Sequence, residues 1–336
     1  MLKIALVGLG NMGKLHLKNL LYLQQNSKCI VSCVCDINKD LVDEISNSYK
    51  IKGFYNVEDM IEKGSFDSAI IATTSTSHFD IAKLLIEEKK HVLIEKPVVL
   101  SEENAIELND LSVKNNILIS AGYTEVYNSV TDGIIEFVNK DNEFQYIDFL
   151  RIGLKTSRND NKDIDVIHDL MIHDLSIMNK VFNIDNIKNV FGILSSFNSI
   201  SKQYDLATLN IILDNNKIIR LLADRNGVLK KRKVYISKDD NFAEFDFMEQ
   251  TCEITKKGHL NVIGQNIWFT NTYQQAKIRY VNNPLLDEIQ DFIDAIKKGK
   301  DTKTSKDWLK LTLFTEKIRD ELYKNIRVMG EKYEVR

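Results

Sequence analysis

The sequence predicts an α/β protein. An N-terminal Rossmann-type, doubly wound parallel sheet is followed by a C-terminal α/β domain with a largely antiparallel open sheet. Three observations predict it. Short apolar runs alternate with helical patterns over the first ~120 residues, which implies βαβ units. A glycine-rich turn, Gly8-Leu9-Gly10-Asn11-Met12-Gly13, follows the first apolar run and opens a helix. Beyond Gly122, strand-like runs succeed one another without intervening helices, the mark of an antiparallel or mixed sheet.

The elements follow in order. Lys3 to Val7 is the first strand, and Asn11 to Gln24 a helix with Leu15, Leu17, Leu20 and Leu21 on its apolar positions. Strands are expected over Cys29 to Cys35, Gly53 to Tyr55, Asp67 to Ala72, His91 to Ile94 and Ile117 to Ala121. Helices are expected over Asn38 to Ser48, Val57 to Lys63 and Ser77 to Glu88, with another after Ser101, whose hydroxyl suits an N-cap. In the second half, strands are read over Phe144 to Ile152, Asn189 to Phe197, Leu206 to Leu213, Ile218 to Asp224, Lys233 to Ser237, Ala243 to Phe247 and Cys252 to Thr255. Asn215-Asn216 reads as a hairpin turn. Helices are read over Ile167 to Val181, Leu285 to Lys297 and Lys306 to Tyr323. The expected domains are residues 1–122, binding a dinucleotide, and 123–336, binding substrate and forming oligomer contacts, with the last helices packing back on the first domain.

Composition sets the bounds. At 336 residues, with 43% hydrophobic and 28% charged residues, the chain is an ordinary globular protein of one or two domains. A net charge of -3 argues against nucleic acid or a polybasic membrane surface as partner. The four cysteines, Cys29, Cys33, Cys35 and Cys252, lack paired zinc-site spacing and read as buried small hydrophobes of a reducing, cytoplasmic protein. No signal peptide or membrane-spanning stretch is visible.

The glycine turn supplies the first functional reading. Gly8 permits the tight turn, Gly10 lets a pyrophosphate approach the backbone, and Gly13 allows close helix–strand packing. Asn11 and Met12 open the helix whose N-terminus favours a phosphate. Asp36 ends the second strand, about 23 residues past Gly13, where a carboxylate accepts from ribose hydroxyls and repels a 2′-phosphate. Ile37 and Asn38 follow it, with no Arg to welcome that phosphate, so NAD is favoured over NADP. Thr73, Thr74, Ser77 and His78 follow the fourth main strand and are expected to face the nicotinamide side. Ser77 also suits an N-cap, and His78 reads as a packing residue more than a catalyst.

Glu95-Lys96-Pro97 is the second signal. One of only two prolines in the chain fixes a lysine at a strand end, the sheet edge at which ligands bind in open α/β folds. Glu95 and Lys96 are therefore expected at the cofactor. The third signal lies in the helix with Asp165, His168, Asp169, His173 and Asp174. Asp169 and His173 are four apart and share a helix face, Asp165 lies one turn back, and Asp174 is rotated away. An acid and an imidazole on one face suit an orienter and a general acid/base. Nicotinamide chemistry needs no metal, and none is expected.

In this order, the glycine turn, Glu95-Lys96-Pro97 and the Asp169…His173 helix resemble the Gfo/Idh/MocA oxidoreductases over nearly the whole chain. The resemblance implies catalysis by Lys96, Asp169 and His173. His173 would exchange the alcohol proton, Lys96 polarise the same oxygen, and Asp169 orient them, with hydride passing between the substrate carbon and the nicotinamide. Residues 122–128, the loop through Arg151, Arg158 and Asp165, and residues 173–178 are similar to family members acting on UDP-N-acetylhexosamines. This implies substrate contacts from Tyr123, Asn128 and Arg158, beside Lys96, Asp169 and His173, and oxidation of the 3-hydroxyl of UDP-N-acetylglucosamine. A free sugar or inositol is the alternative substrate. Lys155 and Arg158 suit a diphosphate, whereas residues 230–233 read as a charged strand start. The family also implies a homodimer or homotetramer. A cofactor-binding regulator without turnover is the rival from another class; the presence of all three of Lys96, Asp169 and His173 argues against it.

Overall fold

A computed structural model describes residues 1–139, 144–154, 164–182, 187–196, 204–214, 216–257 and 273–332. They form two compact units: Met1–Tyr127 with Asn283–Lys317, and Asn128–Asn282 with the chain from Ile318 on.

The first unit holds a six-stranded parallel sheet. Its strands are β1 (Lys3–Val7), β2 (Ile30–Cys35), β3 (Lys52–Phe54), β4 (Ser68–Ile71), β5 (His91–Glu95) and β6 (Ile119–Gly122), in spatial order β3-β2-β1-β4-β5-β6. That is the doubly wound dinucleotide-binding order. Central strands of such a sheet are covered on both faces, which is why Ile4-Ala5-Leu6-Val7 and Ala69-Ile70-Ile71 read as continuous apolar runs. All of these residues are at most 2% exposed. Val7 pairs with Cys35 on one side and Ile71 on the other, so the carboxyl ends of β1, β2 and β4 are level where the strand order reverses. Ligands bind at such a switch point.

Helices α1 (Asn11–Gln25), α2 (Lys39–Tyr49), α3 (Val57–Lys63), α4 (His78–Glu87) and α5 (Glu102–Asn115) connect the strands. Their starts follow capping chemistry. The side chains of Asn38, Asn56 and Ser101 accept from the backbone N–H three residues on, at α2, α3 and α5. A later helix, Pro284–Lys298 (α8 in chain order), belongs to this unit too. Asn283 caps it, Pro284 occupies its first turn, and Gly299 closes it with φ 58°. Its Ile289, Phe292 and Ile293 pack into one apolar cluster with Leu17 and Leu20 of α1 and Ile4 and Leu6 of β1.

The second unit holds an eight-stranded sheet of β7 (Tyr146–Leu154), β8 (Ile187–Ser195), β9 (Leu206–Leu213), β10 (Ile218–Gly227), β11 (Lys231–Lys238), β12 (Asn241–Asp246), β13 (Thr251–Lys256) and β14 (Gln274–Arg279), ordered β14-β13-β12-β11-β7-β10-β9-β8. All its pairings are antiparallel except β7 with β10. Strict alternation along β9 buries Ala207, Leu209, Ile211 and Leu213 and leaves the residues between half-buried, as a sheet with one packed face requires. Helix α6 (Ser129–Asn139), a π-helical turn (Ile167–Met171) running into α7 (Ile172–Val181), and the later part of α9 (Trp308–Lys332) complete the unit.

The structure adds two elements to those expected. Helix α6 is hidden in sequence by Gly133 and by β-branched residues, which weaken helix propensity. Edge strand β14 is exposed at every position and so lacks an alternating pattern. Lys233 lies within β11 and is ion-paired to Glu244 and Asp246 of β12, in line with the charged-strand reading. Among the described residues no helix is long and apolar enough to cross a membrane.

Candidate active site

In the first unit the glycine turn is dictated by crowding. Gly8 has φ 92°, and a Cβ there would lie 2.5 Å from the Ala72 carbonyl oxygen at the end of β4. At Gly13 a Cβ would lie 2.0 Å from the Gly8 carbonyl oxygen. Neither position accepts a side chain. Gly10 differs, because a Cβ there would meet nothing within 4 Å. The space beside Gly10 is therefore open, as close approach of a pyrophosphate to the backbone requires. Gly10 is also the N-cap of α1 and offers no side-chain cap, and Asn11 and Met12 are exposed beside it. The first-turn N–H groups are thus left for an anion.

Asp36 is tied to this turn. Its Oδ2 accepts from Leu9 N at 2.6 Å and its Oδ1 from Asn38 N at 2.8 Å. A carboxylate has about four lone-pair sites, so two hydroxyls can still be accepted. Asp36 does not cap α2; Asn38 does.

The ends of β4 and β5 are stitched together. Ser77 Oγ donates to the Thr74 carbonyl at 2.8 Å and lies 2.9 Å from Thr73 Oγ1. Ser77 therefore sits at the N-cap position of α4 without capping it by side chain, a correction to its expected capping role. A 3-10 turn over Ser75–Ser77 takes up the first-turn bonds instead. His78 is 1% exposed, with Nδ1 2.8 Å from the Pro97 carbonyl and Nε2 3.3 Å from the Thr73 carbonyl. Burial pushes its pKa down.

Glu95 is 5% exposed at the end of β5. Its Oε1 lies 2.7 Å from Nε2 of His16, a fully buried residue of α1, and its Oε2 accepts from Lys96 N at 3.2 Å. Burial opposes its charge, but the bond and charge of His16, with Lys96, hold the carboxyl below the usual range. Gly122 of β6 makes room for it, since a Cβ there would lie 3.2 Å from Oε2. Lys96 itself is half-buried and precedes a cis peptide bond to Pro97. Glu288 of α8 is fully buried nearby. Thr124 Oγ1 donates to its Oε2 at 3.3 Å, while its Oε1 has no partner among the described residues. Burial first, and then the charge of Glu95, raise its pKa well above a normal carboxyl.

In the second unit Asp169 lies on the π turn and His173 in the first turn of α7; Asp169 is 7% exposed and His173 half-buried. The i→i+5 bonds of a π turn shift side-chain spacing, and such turns favour functional sites. Asp165 precedes them and is 1% exposed. Its Oδ1 accepts from Ile167 N and His168 N, both at 3.1 Å, and lies 3.4 Å from His168 Nδ1. Its Oδ2 accepts from Arg319 Nε at 2.7 Å and Tyr323 OH at 3.1 Å. Burial opposes ionisation, but these donors outweigh it and hold the carboxyl far below its usual range. Asp165 is thus an anchor for the start of the turn. Asp174 forms a buried pair with Arg151 of β7 through Nε at 2.9 Å and Nη2 at 2.8 Å.

Of the residues expected at substrate, Tyr123 is 2% exposed, and burial pushes the pKa of its hydroxyl up. Asn128 is 3% exposed, with Oδ1 accepting from Val130 N and Nδ2 donating to the Phe247 carbonyl. Arg158 and Lys155 lie outside the described residues. Sequence reasoning missed His16, Glu288 and the Arg151–Asp174 pair. The available signal for His16 was a polar residue on the buried face of α1, beside Gly13, Leu17 and Leu20.

A six-stranded sheet in the order β3-β2-β1-β4-β5-β6 with an uncapped glycine turn after β1 is the architecture of a dinucleotide-binding domain. Residues 2–123 match the model of the Gfo/Idh/MocA oxidoreductase family with its NAD-binding Rossmann fold. The chain is 24% identical to UDP-N-acetylglucosamine 3-dehydrogenase of Acidithiobacillus ferrooxidans, over 88% of each chain. A solved structure of that enzyme superposes with a TM-score of 0.81 at 22% identity, covering 95% of this chain and 97% of that one. Myo-inositol 2-dehydrogenase of Thermotoga maritima is 20% identical over 89% of each. Scyllo-inositol dehydrogenase of Lactobacillus casei with bound NAD(H) and scyllo-inositol has a TM-score of 0.76 at 18% identity, covering 97% and 98%. Residues 2–123 thus carry the NAD-binding Rossmann part of the Gfo/Idh/MocA oxidoreductases, and the chain as a whole is similar in sequence and fold to named dehydrogenases.

Proposed function

We propose that this protein uses NAD to oxidise a secondary alcohol on a sugar nucleotide, the 3-hydroxyl of UDP-N-acetylglucosamine, to a ketone. The observation that carries the substrate is the 24% identity to a dehydrogenase of that name across 88% of both chains. The similarity of both units to one enzyme supports the substrate half as well as the cofactor half.

The bound nicotinamide would supply the hydride acceptor. The protein's own residues do the rest. Gly10 and the first turn of α1 take the pyrophosphate, Asp36 accepts from the adenosine ribose, and its charge disfavours a 2′-phosphate, which favours NAD over NADP. His173 takes the alcohol proton, Lys96 holds the developing alkoxide by its positive charge, and Asp169 orients them. Thr73, Thr74 and Ser77, joined by their own hydroxyl bonds, line the nicotinamide side. In this reading residues 1–122 form the cofactor domain, and the chain works as a dimer or tetramer through its larger sheet.

NADH formation across UDP-sugars, free hexoses and inositols tests the reading. Turnover confined to UDP-N-acetylhexosamines is expected. The similarity to two inositol dehydrogenases favours a second reading, a free polyol as substrate, and turnover of inositols would establish that one instead.

A further inference from the structure

The residues on either side of Lys96 are each held by a buried histidine from a different segment of the first unit. On one side Glu95 takes His16 Nε2 on Oε1 and Lys96 N on Oε2. On the other, the Pro97 carbonyl faces His78 Nδ1 at 2.8 Å. His16 stands on α1, three residues after Gly13, and His78 opens α4, after the Thr73–Ser77 hydroxyls.

We propose that His16 and His78 are positioning residues that clamp the Glu95-Lys96-Pro97 turn and tie the lysine to the two segments that receive the cofactor. The inference rests on the reading of Lys96 as the group that acts on the substrate alcohol.

Hydrogen-bond logic fixes the pieces. An ionised Glu95 only accepts, so His16 must carry a proton on Nε2. Nδ1 of His16 has no partner among the described residues, so the ring spends its one oriented bond on Glu95. The Pro97 and Thr73 carbonyls both only accept; His78 meets them through Nδ1 at 2.8 Å and Nε2 at 3.3 Å, and the shorter contact is the one to Pro97. Both rings are at most 1% exposed, which shields these bonds from bulk solvent. Positional error at a reacting group of about 1 Å costs roughly 10²-fold in rate. A bond that fixes the backbone on each side of the lysine is therefore worth far more to turnover than to cofactor affinity. Helix α1 also carries the glycine turn, so one rigid element sets both the pyrophosphate cradle and, through His16, the lysine.

The test uses His16→Leu, which removes the donor, and His16→Gln, whose amide places an N–H near the Nε2 position. Amide exchange at Lys96 is followed by hydrogen–deuterium exchange, which needs no substrate. Turnover, KM and NAD affinity are then measured with UDP-N-acetylglucosamine, or with myo-inositol if that is the substrate found. Exchange at Lys96 is expected to rise at least tenfold in His16→Leu and to recover in His16→Gln. Turnover should fall roughly 10²-fold in His16→Leu with KM and NAD affinity within threefold, and return to within about fivefold in His16→Gln. His78→Ala should lower turnover likewise, and His78→Asn, with a donor near Nδ1, should restore most of it. Unchanged Lys96 exchange in His16→Leu overturns the proposal whatever the substrate. So does a loss of turnover that His16→Gln does not recover, or one that tracks lost NAD affinity. Lys96→Ala separates the two claims: if it keeps turnover, the reading of Lys96 fails, while the exchange data still judge the clamp.

Discussion

Asp165 and Glu288 are both buried carboxyls, at 1% and 0% exposure, one in each unit, yet their ionisation moves in opposite directions. Asp165 receives two backbone N–H groups, Arg319 and Tyr323, with His168 beside it. Glu288 has one threonine hydroxyl, a like charge in Glu95 and an oxygen with no partner among the described residues. Burial alone is the same for both and pushes both up. The difference teaches that donors, not depth, decide which buried acid keeps its charge. It also separates two ways of holding a site. The first unit places Lys96 by backbone shape and a few directed bonds. The second holds the helix of Asp169 and His173 by charge, through Asp165 and the Arg151–Asp174 pair.

Removing a charge anchor should break that contrast most visibly. Asp165→Ala removes the acceptor shared by the Ile167 and His168 N–H groups, Arg319 and Tyr323, and frees the start of the π turn. It should cost about 3–5 kcal/mol in denaturant unfolding. A loss below about 1 kcal/mol, the range of a surface pair, would mean the second unit is not held by charge. The next effect is in the first unit. Asp36→Asn keeps an acceptor for Leu9 N but removes the charge. It should shift the NADP-to-NAD ratio of kcat/KM by at least about tenfold towards NADP, or about 1.4 kcal/mol. An unchanged ratio would deny Asp36 its discriminating role.

The smallest effect is a change of slope with pH. The folded pKa of Asp165 is depressed, so its stabilisation is present above the unfolded value of about 3.9 and is lost as pH falls towards the folded one. Glu288 is raised, so its contribution is complete below about pH 4.3 and is lost as pH rises towards its folded pKa. Glu288→Gln should therefore gain stability relative to the wild type as pH rises from 5 to 8, read as melting temperature. A constant offset between the two across that range would mean that Glu288 does not hold its proton in the folded protein.

The sequence shows the first unit more clearly than the second, for physical reasons. Parallel strands buried on both faces leave long apolar runs, and the glycines at 8, 10 and 13 are demanded by local geometry. Strand limits there fall within two residues of those expected; β5 gains only Glu95, and β6 starts at Ile119 instead of Ile117. The likeness to the Gfo/Idh/MocA oxidoreductases was likewise legible, from the order of three motifs. Strand β14 left no trace because an exposed edge needs no apolar alternation. The π turn left none either, because Ile167 to Met171 would suit an α-helix equally well. Glu288 looks like a surface acid in sequence; only the fold shows it on the buried face with Ile289 and Phe292. His16 was similarly hidden, because its partner Glu95 is 79 residues away.

The most direct test of the account is Lys96→Ala, assayed for NADH formation with UDP-N-acetylglucosamine and for NAD binding in parallel. The account predicts that NAD still binds while turnover falls by roughly 10²–10⁴-fold, the usual contribution of a group acting at the reacting oxygen. Full turnover in the variant would contradict it, and would place the chemistry on residues other than the lysine at the end of β5.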